Sequence, residues 1–226
     1  MPSRRIRNTG RTAVCRLALF CGIAASLLNH SSAAAAGKYN PELEIGSAAP
    51  AWADLPGTDD KKHSLEQLKG KKAVIVVFTC CSCPYSVDYE ARLVALAGRW
   101  LKKDSPVALV AINVNKVEED RLPAMKKRAE EQGFRFPWLY DETQDIARKF
   151  GATWTPECFV LDAERRVVYM GALDDNPDAT KAKVNYVDRA VEAVLAGSAV
   201  EVTETPAIGC RIRYERKRRR RPKTDN

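Results

Sequence analysis

Three cysteines fall within four residues, Cys80-Cys81-Ser82-Cys83, and Pro84 follows them. The Cys80-x-x-Cys83 spacing suits thiolate chemistry. A thiol at the start of a helix faces unpaired backbone amides and the positive end of the dipole, so its pKa falls below the free value of ~8.5. On that basis Cys80 is the expected nucleophile. Cys83, one turn on, is the expected resolving thiol, attacking a mixed disulfide formed at Cys80 and releasing a reduced substrate. Such a pair is also half of a zinc site, but a structural zinc knot ordinarily needs a second Cys or His pair, and none occurs here, so no metal is expected. Cys81 either fills a variable position of the motif or competes as a further thiol.

The neighbouring residues set how this motif is held. Val74 to Thr79 is a strand-favouring run that suits a central strand covered on both faces, and Pro84 has the φ tolerated in a first helical turn. Tyr89, Leu93, Leu96 and Trp100 then recur at helical spacing. A second apolar run, within Pro106 to Asn115, predicts a strand beside the first. Asp120 to Gly133 predicts a helix, Phe136 to Tyr140 an extended segment, and Asp141 to Gly151 a short helix. Cys158 to Asp162 and Arg166 to Met170 predict a hairpin, and a last helix is expected from about Ala179 to Ala196. Strands alternating with helices imply parallel pairing through crossovers, hence an α/β class with a central mixed sheet flanked by helices. His63, among Lys61, Lys62 and Ser64, reads as a solvated turn residue rather than a catalytic one.

With 226 residues the chain is long enough for one domain with a real core plus appendages. Its net charge of +8 comes from the ends: Met1 to Ala36 holds five Arg and no acid, and Cys210 to Asn226 holds nine Lys or Arg against two acids. The middle is therefore acidic, and the alkaline pI does not point to nucleic acid as a partner. Met1 to Ala36 reads as an export signal, with a basic start, an apolar stretch from about Leu17 to Leu28, and small residues from Ser31 to Ala36. The expected location is periplasmic or extracellular. Cleavage would remove Cys15 and Cys21 and leave Cys80, Cys81, Cys83, Cys158 and Cys210, an odd number, in an oxidising compartment.

The apolar strand running into Cys80-x-x-Cys83-Pro84, with Gly151-Ala152-Thr153-Trp154-Thr155-Pro156-Glu157-Cys158-Phe159-Val160-Leu161-Asp162 later, resembles the thioredoxin superfamily. Within it the chain is similar to exported redoxin-like thiol-disulfide oxidoreductases and to peroxiredoxins. The resemblance covers about Pro50 to Gly197, between a leader at 37–49 and a C-terminal extension at 198–214. It implies a cis peptide at Thr155-Pro156 facing the dithiol, with the backbone of Thr155 free to hold a substrate's extended chain. The chain departs from the pattern in having Thr79 where relatives often have Trp, and Val74 where some bury a carboxylate. Proton transfer then falls to water, to Glu157 or to another group. The Pro-x-x-x-Thr-x-x-Cys arrangement of peroxiredoxins is missing, since Val77 lies three residues before Cys80 and Thr79 four before Cys83. The Cys-x-x-x-Cys-Pro pair and distant His of copper-chaperone relatives are missing too.

The expected function is therefore exchange or reduction of disulfides in envelope proteins, with disulfide or thiol proteins as partners and no cofactor. A thiol peroxidase and a metal-delivery module are the alternatives. Cys158 reads as core packing or as one half of a structural disulfide with Cys210. The segment Thr203 to Tyr214 is similar to an extension of some exported redoxin-like proteins in which a Gly-Cys follows a Pro. There Cys210 is either a third redox thiol or part of a tail pinned on the surface. Arg216 to Arg221 is a block of six like charges, expected to be disordered and suited to an anionic envelope surface, at ~1 kcal/mol per charge.

Overall fold

The structure is a computed structural model that describes residues 37–216. The expected signal at 1–36 and the basic tail beyond Arg216 lie outside the described residues. A short antiparallel pair, β1 (Leu55–Pro56) and β2 (Lys62–His63), precedes β3 (Ala73–Phe78), which leads to α1 (Pro84–Trp100). Then follow β4 (Val107–Asn113), α2 (Leu122–Gln132), β5 (Trp138–Tyr140), α3 (Asp145–Phe150) and β6 (Trp154–Thr155). The chain closes with β7 (Glu157–Leu161), β8 (Val167–Gly171), α4 (Tyr186–Ala196) and β9 (Cys210–Arg211).

Five strands form one mixed sheet in the order β5-β4-β3-β7-β8. β3 pairs parallel to β4, and β4 to β5, each connection crossing over through a helix, while the β7–β8 hairpin runs antiparallel to its neighbours. All six residues of β3 are buried, because the strand is central and covered on both faces. Alternate side chains point to opposite faces. Ala73, Ile75 and Val77 pack with Tyr89 and Leu93 of α1, Met125 of α2 and Val187 and Val191 of α4. Val74, Val76 and Phe78 pack with Ile146 and Phe150 of α3, Trp52, Leu43 of the leader and Ile212 of the C-terminal extension. Each fully buried Val, Ile, Leu or Phe contributes about 1.5–3 kcal/mol, so this double-sided core fixes where β3 ends and the cysteines begin.

Helix starts differ from expectation: α3 begins at Asp145 rather than Asp141, and two others shift for local reasons. The last helix starts at Tyr186, not near Ala179, because Asp175 and Asp178 accept hydrogen bonds from the amides of Lys183, Val184 and Thr180 and hold that stretch in turns. Asn185 then caps the helix through the Asp188 amide. The second correction concerns Asp120, expected to open a helix. It ends a short 3-10 turn, and α2 begins only at Leu122.

Candidate functional site

α1 begins at Pro84, and its N-cap is Cys83, with extended backbone (φ −96°, ψ 120°). Proline at the first helical position has no amide to lose, so the Cys-Pro junction fixes the helix start. The Ser86 amide donates to the Cys83 sulfur across 3.5 Å. The expected placement of Cys80 at the helix start is thus corrected: Cys80 lies one turn earlier, in the loop between β3 and α1. That loop is tied down by Asp120, a fully buried carboxylate that accepts from the amides of Cys81 (2.6 Å) and Ser82 (3.0 Å) and from the Ser82 hydroxyl (2.5 Å).

The Thr155-Pro156 peptide is cis and lies against both thiols. In its protonated form Cys83 donates to the Thr155 carbonyl at 3.1 Å, and the Thr155 hydroxyl lies 3.4 Å from the Cys80 sulfur. The Cys80 thiol also donates to the Ser86 hydroxyl at 3.9 Å. Cys80 lies against the Thr155 hydroxyl on one side of Cys83, and Cys210 pairs with Thr155 on the other. One sulfur is thus flanked by two others.

This geometry splits the acidities. The Cys80 thiol foremost, with Cys210, the Ser86 amide and Thr155, draws Cys83 down to about 4 against the opposing effect of burial. Cys80 is pushed up, first by its interaction with Cys83, then by burial and by the Asp120 charge. Burial, with the Cys83 contact next, raises Cys210 to about 11. The pattern is one anion at the helix start with protonated thiols around it. Next to the cis proline, Glu157 is 5% exposed, and its carboxylate accepts from the amides of Thr153 (2.8 Å) and Trp154 (3.0 Å). Burial outweighs those bonds and raises it to about 7.

The other expected thiols lie elsewhere. Cys81 points away toward Glu90 and Arg128, and burial raises it to about 12. Cys158 is a fully buried core side chain opposite Val77 on β3, held up by that burial. A Cys158–Cys210 disulfide is not formed; both are free thiols, and Cys210 instead faces Cys83. His63 bonds Asp59 within its own turn, at 2.9 Å. Among the described residues no group of three or more His, Cys, Asp or Glu side chains is arranged to hold a metal ion, and no helix is long and apolar enough to cross a membrane.

Sequence reasoning missed Asp120 and Ser86. For Ser86 a signal was present: in Cys83-Pro84-Tyr85-Ser86 the proline marks the first helical residue, so the N-cap is Cys83 and the amide that reaches it belongs to Ser86.

No curated protein matches the chain. An uncharacterized conserved protein from Geobacillus kaustophilus is 36% identical over 77% of this chain and 94% of its own, with a TM-score of 0.71. A hypothetical protein from Sinorhizobium meliloti 1021 is 32% identical over 78% of this chain and 97% of its own, also at 0.71. A thiol:disulfide interchange protein of the thioredoxin family from Chlorobium tepidum TLS is 26% identical over 67% and 98%, with a TM-score of 0.53. The family model described as Redoxin matches residues 44–187, more than half the chain and the whole of the sheet, and the chain belongs to the Redoxin family, with a thioredoxin-like fold.

Proposed function

We propose that the protein is a thiol-disulfide oxidoreductase acting on disulfides of exported proteins, with Cys83 attacking and Cys80 resolving. The observation that carries this is the Cys83 sulfur at the head of α1, with the Cys80 and Cys83 sulfurs both packed against Thr155. Membership of the Redoxin family supports a thiol redox function, and the likeness to the interchange protein supports this form of it.

The Cys83 thiolate attacks one sulfur of a substrate disulfide. That S–S bond breaks, the second substrate sulfur leaves as a thiolate, and a Cys83–substrate mixed disulfide forms. Cys80 then gives up its proton, which the departing thiolate can take, and attacks the Cys83 sulfur. The substrate leaves with two electrons and the Cys80 proton, its second thiolate taking a proton from water, and the protein holds a Cys80–Cys83 disulfide. The backbone edge of Thr155 beside Pro156 is the proposed seat for the substrate's extended chain. Because a low-pKa thiol is also a good leaving group, the reverse reaction runs by the same steps, and the potential of the couple decides the direction.

The exported location rests on Met1 to Ala36 alone, and contact of the basic tail with an anionic envelope surface on the charge run alone. Insulin reduction with dithiothreitol tests the chemistry. Cys83→Ser is expected to abolish turnover, and Cys80→Ser combined with Cys210→Ser to accumulate a mixed disulfide with substrate. Turnover retained in Cys83→Ser would refute the assignment.

A further inference from the structure

Cys80 and Cys83 are only 1% and 2% exposed. The chain's own C-terminal extension covers the Thr155 side. β9 pairs antiparallel with β6 in the register Trp154–Arg211 and Thr155–Cys210, and the Ile212 amide continues the ladder to the Thr153 carbonyl at 2.9 Å. Approach is this close because residue 209 is glycine; any Cβ there would run into the Thr155 carbonyl. The segment is anchored on both sides of the crossing. Thr205 binds the Tyr169 hydroxyl and the Ala172 amide on one side, and the Tyr214 hydroxyl reaches the Ala152 carbonyl on the other. The extension itself, residues 198–214, lies outside the stretch matched by the family model.

The ladder puts a particular side chain over the dithiol. Cys210 is half-buried and is the strand partner of Thr155, whose carbonyl lies 3.1 Å from the Cys83 sulfur, so the two thiols sit on either side of the same residue. An inert cover would need only a small residue. A thiol held along the edge where a substrate chain is proposed to lie has the position of a substrate thiol, supplied internally.

We propose that Cys210 is a third exchanging thiol, which attacks Cys83 in the Cys80–Cys83 disulfide to form a Cys83–Cys210 disulfide and release Cys80. The proposal rests on the oxidoreductase function above. One S–S bond breaks and one forms, the Cys210 proton passes to Cys80, and the protein's oxidation level is unchanged. The disulfide now has one half-exposed sulfur. A dithiol protein reductant attacks Cys210 there, expelling Cys83, whose low pKa makes it the better leaving group. The reductant's second thiol closes the mixed disulfide into its own disulfide and restores Cys210. Electrons thereby reach a buried pair through its one half-exposed neighbour.

The test uses the full chain. Cys80→Ser is oxidised with diamide and mapped by peptide analysis without reduction, and the wild type is mapped after equilibration in a thiol-disulfide buffer. A Cys83–Cys210 link is expected in most Cys80→Ser molecules, and in the wild type beside Cys80–Cys83. Reduction of the oxidised wild type by a dithiol protein is expected to exceed that of oxidised Cys210→Ser by ~10-fold or more, the advantage of a held thiol over an encounter. Cys83 and Cys210 found only as separate thiols in both maps, or equal reduction of wild type and Cys210→Ser, overturns the proposal. Wild-type insulin turnover is read in parallel. Its absence fails the oxidoreductase function, whereas unlinked Cys210 in an active enzyme fails the third-thiol proposal alone.

Discussion

The backbone amide of Ser86 points at the sulfur of Cys83 from 3.5 Å away, three residues along the helix that Cys83 caps. It adds to the Cys80 thiol, the largest influence, in drawing Cys83 down. Cys80 is pushed the other way by Cys83, by burial and by the Asp120 charge.

Reduced protein is expected to show one thiolate, by ultraviolet absorbance, that forms far below the ~8.5 of a free thiol. Cys83→Ser should abolish that titration. Cys80→Ser should keep it but move it upward, because the Cys80 hydrogen bond is the largest influence drawing Cys83 down. The linkage has a definite sign: a depressed pKa contributes stability that is complete above the free-thiol value and lost as pH falls toward about 4. Urea unfolding of Cys83→Ser against wild type, both reduced, across that range checks it.

Asp120 is expected to act by positioning. Its carboxylate satisfies two loop amides, so Asp120→Ala leaves buried donors unpaired and should cost about 2–4 kcal/mol in urea unfolding. Asp120→Asn keeps one acceptor and should recover part of that. Because the Asp120 charge raises Cys80, the same Asn variant should ease ionisation of the resolving thiol. Its mixed disulfide with substrate should therefore decay faster than wild type at one fixed pH, which a purely structural role would not produce.

Much of this could be read from the chain, for local reasons. Val74 to Phe78 has no polar residue to put on a solvated face, so a strand covered on both sides was the available solution. Pro84 likewise announces the helix start, which makes Cys83 rather than Cys80 the N-cap. Asp120 was hidden because its partners stand 38 and 39 residues away and are backbone amides, which leave no mark on the sequence. β9 was hidden because two residues carry no periodicity. Its pairing depends on a glycine that fits against one particular carbonyl.

Glu157 supplies a pH dependence of opposite sign to that of Cys83. Its carboxyl holds a proton to about 7 in the folded chain but only to 4.5 when exposed, so the folded state binds the extra proton between those values. Stability from this group is complete below 4.5 and is lost as pH rises through about 7, a total of about 3 kcal/mol. Glu157→Gln keeps an acceptor for the Thr153 and Trp154 amides without the charge. It should be more stable than wild type above neutrality, with a flatter profile between pH 4.5 and 7 by urea unfolding.

Gly209 controls whether the dithiol is covered. In Gly209→Val the new side chain meets the Thr155 backbone, which cannot retreat without disturbing the site that it shares with Cys83. The strand at 210–211 should lift, taking with it Ile212, which is 7% exposed in the closed state. Local opening made easier by ~1.4 kcal/mol raises the open population ~10-fold, so trypsin should nick after Arg211 or Arg213 about that much faster. Gly98→Ala is the control, since a Cβ there meets nothing, and its cleavage should match wild type. A lifted strand also leaves the Thr155 edge free, so the insulin KM with dithiothreitol as recycling reductant should fall in Gly209→Val. Faster nicking with an unchanged KM would mean that substrate docks somewhere other than the edge now filled by residues 210–212.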